Sequence, residues 1–285
     1  MLTDLQELDL TALKAFVSMC EEVGLRYYAI GGTLLGAVRH KGFIPWDDDV
    51  DIAMPREDYD KMIALVVSGE AQKFLGDEVT IACWQAGDNI QSYFAKVCPT
   101  KVELREEVLE ETSVRKGYLL DIIPLDGTPD RAWLRRLYYG RVFWLRFLCG
   151  TANVHTGIVT SRPKWEQQVL RVMKALRFYR FLKIHKIYGK LERLFRRQDA
   201  EKATFAGTIM GAYKTKEIVP RSYFGDTYEE CSLWEFEGLQ IRGPKQWEAY
   251  LTHMYGDYRK LPPESERKHH YQMSIFPLET DRENE

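Results

Sequence analysis

The sequence lacks any run of about 20 uncharged apolar residues, so it offers no membrane-spanning helix. It lacks a CxxC pair. Its five cysteines, Cys20, Cys83, Cys98, Cys149 and Cys231, are odd in number and scattered, which argues against a disulfide framework and against a zinc site. Each is read as a small buried apolar residue. There is no internal repeat and no low-complexity tract, which excludes a solenoid or a fibrous chain. The N-terminus, MLTDLQELDLTALKAF, has acids where a signal peptide has a basic stub and a long apolar stretch. A reduced, cytoplasmic protein is the expectation.

What is present is a chain of 285 residues with 45% apolar content, enough for a large core with an appended lobe. Its net charge of −2 hides a strong asymmetry. Between Arg131 and Arg197 there are 17 Lys and Arg against two acids, Glu166 and Glu192, a net of +15, which leaves −17 for the rest. Two differently charged lobes are implied.

The pattern along the chain predicts an α+β protein, with a mixed sheet flanked by helices. Residues 4–22 have helical spacing behind Thr3 or Asp4, with Gly24 as stop. Residues 26–30 read as a short strand ending on Gly31-Gly32-Thr33, followed by a helical turn over 34–39, a loop and the strand DVDIAM, with Pro55 opening another helix. Runs at 79–84, 93–97, 101–104 and 118–123 are expected to complete one sheet. From about residue 130 the pattern becomes helical, aromatic and basic, with Pro163 starting one long helix that carries Val169 through Phe195. This divides the chain into a catalytic core (1–127), a basic helical lobe (128–200) and a C-terminal lobe (201–285) completing the substrate site.

Strand periodicity sends Val50, Ile52 and Met54 of DVDIAM to one face and Asp49 and Asp51 to the other. Adjacent carboxylates repel unless a cation or a shared proton intervenes, and oxygen-only ligands favour Mg²⁺ or Mn²⁺. Asp47 and Asp48 add to the negative field. A solvated acidic turn is the alternative, but the apolar opposite face and the following proline favour a buried strand. Phosphoryl chemistry usually needs a third carboxylate from a neighbouring strand. Asp121, flanked by Leu119-Leu120 and Ile122-Ile123, is the candidate, with a structural role bonded to backbone amides as the alternative. Asp126, before Gly127, reads as a turn residue. Gly31, Gly32 and Thr33 supply backbone that can approach a phosphate at a helix start. Arg39, His40 and Lys41 follow with the positive charge a pyrophosphate needs, and His40 reads equally as a surface residue. Trp46 stands beside the acidic run.

The stretch from Gly31 to Asp51, GGTLLGAVRHKGFIPWDDDVD, resembles the signature of the LicD family, bacterial phosphocholine transferases related to fukutin-like ribitol-phosphate transferases. The Asp121 strand with Ile-Pro-Leu-Asp-Gly, Pro220 to Gly225, and Tyr255-Gly256-Asp257-Tyr258 before Leu261-Pro262-Pro263 resemble it too. The resemblance spans about 25–127 and 217–270 and leaves the basic middle unmatched. It implies a nucleotidyltransferase fold and Mg²⁺-dependent transfer of phosphocholine, or another phospho-alcohol, from a CDP-activated donor to a sugar hydroxyl of a cell-surface glycan precursor. By the resemblance Asp49 and Asp51 are metal ligands, Asp121 is third carboxylate and base, and Gly31, Gly32 and Thr33 are the phosphate-binding turn. Asp47 and Arg39 match motif positions.

A choline headgroup would be met by aromatic faces. The C-terminal third offers Tyr223, Phe224, Tyr228, Trp234, Phe236, Trp247, Tyr250, Tyr255 and Tyr258. The basic segment 131–197 suits peripheral contact with an anionic membrane and a lipid-linked acceptor; no nucleic acid is expected, though the same charge would serve it. Two other functions stay open: addition of a nucleoside monophosphate to a protein, small molecule or RNA, and non-catalytic nucleic-acid binding.

Overall fold

The computed structural model describes residues 2–47, 49–106, 115–158, 164–210, 217–267 and 273–278, so Asp48 and Pro163 lie outside the described residues. Helix α1 (Asp4–Val23) opens on a capping box between Thr3 and Gln6 and stops at Gly24, whose φ of 75° suits glycine. Strand β1 (Tyr28–Ala29), helix α2 (Gly31–His40), strand β2 (Val50–Pro55) and helices α3 (Arg56–Ser68) and α4 (Gln72–Leu75) follow. Strands β3 (Val79–Ala82), β4 (Ala95–Pro99), β5 (Val102–Glu106), β6 (Arg115–Lys116) and β7 (Leu120–Gly127) come next. Helices α5 (Ala132–Ala152), α6 (Lys164–Ala175) and α7 (Ile184–Phe195) form the basic stretch. The chain then runs through β8 (Phe205–Gly207), β9 (Ile218–Pro220), the hairpin β10 (Ser232–Phe236) and β11 (Leu239–Gly243), α8 (Trp247–Tyr255) and β12 (Met273–Pro277).

The fold is α+β, built on a mixed sheet of order β1-β2-β7-β4-β3, with β8 on the end of β7 and β9 on β8. Only β2 and β7 run parallel. Their apolar residues, among them Val50, Ile52, Leu120 and Ile122, are buried beneath α1 and α3.

Four local expectations need correction. Helix α2 begins at Gly31, so the two glycines form its first turn and do not precede it. Strand β5 pairs with β6 and β12 in a separate sheet. Only Leu104 of that strand is buried, too little apolar surface for a place in the central sheet. The long basic helix is broken: Arg177 sits in the left-handed region at φ 52°, and a single 3-10 turn at Phe178–Phe181 separates α6 from α7. The break lets both helices pack on α5. A second core results, with Tyr138 and Val142 of α5 against Ile187, Leu191 and Phe195 of α7.

Asp126 is the fourth. It is buried in β7, where Arg56 of α3 donates to both its oxygens at 2.8 and 2.6 Å. Arg56 also lies 3.7 Å from Glu192 of α7, whose carboxylate accepts from Tyr93 and Arg196. One buried guanidinium therefore ties the sheet to the basic helices. Removing one partner strands a buried charge, whereas replacing both removes the problem. Asp126→Leu should cost ~3–5 kcal/mol of unfolding free energy in urea titrations, and Arg56→Met with Asp126→Leu together should cost clearly less than the sum.

Candidate active site

Register brings the acids together. Asp51 of β2 stands opposite Asp121 of β7, and Lys96 of β4 stands opposite Asp121 from the other side. Three neighbouring strands thus place Asp51, Asp121 and Lys96 in one row, and Asp49 joins from the residue before β2 starts. Lys96 Nζ is 2.5 Å from Asp121 Oδ1 and supplies that carboxylate's counter-charge. Asp51 has no cation within ion-pair distance among the described residues. Burial pushes its pKa well above the ordinary carboxylate value, with Asp49, Asp121 and Glu217 adding to the rise against Lys96.

The start of α2 is folded onto this row. Gly31 adopts φ 55°, and a Cβ there would come 3.5 Å from Asp51 Oδ2. At Gly32 a Cβ would fall 2.2 Å from Asp47 Oδ2, so a side chain there would displace that buried carboxylate. The Thr33 hydroxyl accepts from the Asp51 amide at 2.9 Å and is itself buried. The loop between α2 and β2 is fastened from far along the chain. Glu237, at the tip of the β10–β11 hairpin, accepts from the Phe43 amide at 3.2 Å, and its own amide donates to the Lys41 carbonyl at 2.8 Å. A Cβ on Gly42 would meet the same carboxylate at 1.9 Å.

The row opens into a cleft of about 1580 Å³. Single small-molecule sites usually occupy ~300–1,000 Å³, so this one has room for two substrates. Gly31, Gly32, Asp47, Asp49, Asp51 and Asp121 all line it. Arg39, Lys260 and Arg267 line it as well. Burial, with Arg267 nearby, pulls the Arg39 guanidinium below its usual pKa, though an arginine stays charged at neutral pH. Among the described residues neither arginine is given a carboxylate partner. Arg39 donates to the Tyr258 carbonyl at 3.3 Å, and Arg267 lies 5.2 Å above the Trp46 ring. Two guanidiniums lining one cleft suit a polyanion such as a diphosphate.

Residues 24–106 match the LicD/FKTN/FKRP nucleotidyltransferase domain. The lipopolysaccharide cholinephosphotransferase LicD of Haemophilus influenzae is 27% identical over 276 residues, covering 94% of this chain and 95% of that protein. Human ribitol 5-phosphate transferase FKRP is 52% identical over 42 residues, 15% of this chain and 8% of its own length. A Rickettsia prowazekii protein of uncharacterized function is 59% identical over 34 residues. Residues 24–106 form a LicD-family nucleotidyltransferase domain. Within it lie Gly31 to Asp51 and Lys96; Asp121 comes from β7, beyond its end.

The LicD-family domain keeps some expected residues away from the cleft. Thr33 serves the Asp51 backbone and does not line it. Lys41 points to Glu235, with its Nζ 3.2 Å from that carboxylate, and caps α2 at φ 58°. His40 accepts from Arg39 at 3.4 Å; burial and Arg39 lower its pKa, so it is neutral at pH 7. Of the rings in the C-terminal third, Tyr250, Tyr255 and Tyr258 line the cleft beside Trp46. The Tyr250 hydroxyl accepts from the Gly31 amide at 3.4 Å. Phe224 packs on Tyr28, Phe236 on Phe43 and Trp234 on Trp247, all in or against the core. Sequence reasoning missed Lys96, Glu217, Lys260 and Arg267. A lysine alternating with buried Ala95 and Val97 was the one readable signal, for Lys96.

Two outcomes are expected. Asp51 keeps its proton to higher pH folded than unfolded, so stability falls as pH rises from the unfolded carboxylate value of about 4 toward the raised value. In EDTA, Asp51→Asn should therefore melt above the wild type at pH 7 and lose that advantage near pH 4; an equal gap at both pH values would count against the crowding. Arg39→Ala should weaken binding of CDP, a simple nucleoside diphosphate, by ~10–100-fold, the worth of a hydrogen bond to a charged group, while Lys41→Ala leaves it nearly unchanged in isothermal titration.

Proposed function

We propose that this protein transfers a phospho-alcohol, phosphocholine foremost, from a CDP-activated donor to a sugar hydroxyl of a cell-surface glycan precursor, releasing CMP. The row of Asp49, Asp51 and Asp121 in a cleft that Arg39 and Arg267 also line carries this reading. The similarity along almost the whole length of the Haemophilus influenzae cholinephosphotransferase supports it. Arg39 and Arg267 would hold the donor's diphosphate. Asp121 would take the acceptor hydroxyl's proton as the new oxygen–phosphorus bond forms and the diphosphate bond breaks, with the electron pair leaving on CMP.

The donor set fits Mg²⁺, or Mn²⁺, in its chemistry: oxygen ligands only, and an Asp51 whose negative charge is resisted by its neighbours. Among the described residues no group of three or more His, Cys, Asp or Glu side chains is arranged to hold a metal ion, and Lys96 engages Asp121. Asp49 and Asp51 would hold the ion, with Asp121 as the third carboxylate. Its chemistry there would be neutralisation of charge on the phosphate oxygens. Trp46, Tyr250, Tyr255 and Tyr258 would face a choline headgroup. No helix among the described residues is long and apolar enough to cross a membrane, and residues 131–197 would meet an anionic membrane from the inner, cytoplasmic side, where a lipid-linked acceptor is presented.

The test is CMP release, read by mass spectrometry, from CDP-choline, CDP-ribitol, CDP-glycerol and CTP, with Mg²⁺ or EDTA. Metal-dependent CMP release from one CDP-alcohol is expected. Asp49→Asn should reduce it by more than the ~10–100-fold that outer-shell partners of a metal site carry. Pyrophosphate release from CTP or ATP with no CDP-alcohol turned over would overturn the proposal in favour of a nucleotide-adding enzyme.

A further inference from the structure

Helix α5 is apolar on two sides. One side, with Tyr138, Val142 and Cys149, packs into the second core. The other carries Trp133, Leu137 and Trp144 at positions i, i+4 and i+11, one stripe, and they are 58%, 59% and 59% exposed. Helix α6 repeats the arrangement. Its Leu170 is buried, while Trp165, Val172 and the following Leu176, at i, i+7 and i+11, are exposed. Phe178 and Phe181, with ring centroids 6.4 Å apart, extend the surface. Of the 17 exposed large apolar side chains among the described residues, ten lie between Trp133 and Phe181, a concentration that isolated surface residues do not produce.

The charge decides what covers this face. Between Trp133 and Phe181 the sequence carries ten cations against one acid, Glu166. A second copy would bring an equal positive lobe against it. Nucleic acid would match the charge and could stack on the rings, but the aliphatic Leu137, Val172 and Leu176 set among those rings find no partner in a base or a phosphate. An anionic bilayer matches both features: headgroups for the cations, and an acyl boundary for Trp, Phe and Leu. The patch is also continuous with the active cleft. Phe143 and Trp165 are exposed and line the cleft, and Trp144 stacks on Phe147, which lines it too. The cleft thus has an apolar arm that runs from the carboxylates to this face.

We propose that the stripes of α5 and α6 seat the protein on an anionic phospholipid bilayer, with the apolar arm open to the membrane to take the hydrocarbon chain of a lipid-linked acceptor. The acceptor part rests on the transfer reaction proposed above. The docking part does not, because it is read without turnover.

The full chain would be floated on a density gradient with vesicles of phosphatidylcholine alone, or of phosphatidylcholine with phosphatidylglycerol. Flotation with the anionic vesicles only, weakened by salt, is expected. The triple variant Trp133→Ser, Leu137→Ser, Trp144→Ser and the double variant Leu176→Ser, Phe181→Ser should each lower vesicle partitioning by ~tenfold or more. None of these five side chains lines the cleft, so both variants should keep the wild-type thermal melt and CMP release. Three results would overturn the docking: no flotation on anionic vesicles, flotation that neither variant weakens, or a dimer by light scattering that the triple variant dissolves. If docking holds while CMP release fails for every donor, the reaction is wrong and the surface stands.

Discussion

The parallel pairing of β2 with β7 is the constraint on which the site depends, because it sets Asp51 beside Asp121 and leaves the acids facing one another across a single ladder. A slip of one residue would turn Asp51 to the core face and Ile52 to the cleft, so the buried apolar residues hold the register as firmly as the chemistry needs it. The neighbouring groups answer the resulting repulsion. Lys96 neutralises one member, Thr33 pins the Asp51 backbone, and the glycines of α2 leave space for Asp47 and Asp51. Asp51, crowded by Asp49 and Asp121, keeps the strongest resistance to its charge, and that is where the cleft opens.

The parts outside the LicD-family domain are structural partners of the site. Glu237 clamps the loop that leads into β2, Tyr250 meets the first amide of α2, and Arg56 joins β7 to α7 through Asp126 and Glu192. Each contact spans more than 60 residues of sequence. The segment with the densest motif therefore owes its geometry to chain lying far beyond it.

Much of this was legible beforehand where chemistry and period coincide. Alternation in DVDIAM separated the acids from Val50 and Ile52, and Asp121 declared itself as an ion flanked by four aliphatics. The helix start at Gly31 was misplaced because a glycine pair ordinarily signals a turn, whereas here the crowding of Asp47 against Gly32 is the reason for it. Asp126 looked like a turn residue beside Gly127, and only the distant Arg56 explains its burial. Lys41 and Arg39 were indistinguishable as cations, since the side of α2 each faces depends on where the β10–β11 hairpin lands. Arg267 and Glu217 carry no local pattern. They reach the site through tertiary packing, which one-dimensional spacing does not encode.

The basic helices leave and rejoin the sheet at one place. Gly127 ends β7 opposite Ala206 of β8, so the whole excursion through α5, α6 and α7 begins and ends on the same pair of hydrogen-bonded strands. The entropic cost of closing such an excursion rises only slowly with its length. Changes of length between these helices fall outside the ladder that aligns Asp51 with Asp121, provided that α7 keeps Glu192 beside Arg56. The helical lobe therefore enters and leaves the sheet through a single ladder step, and its remaining tie to the site runs through Arg56, Asp126 and Glu192.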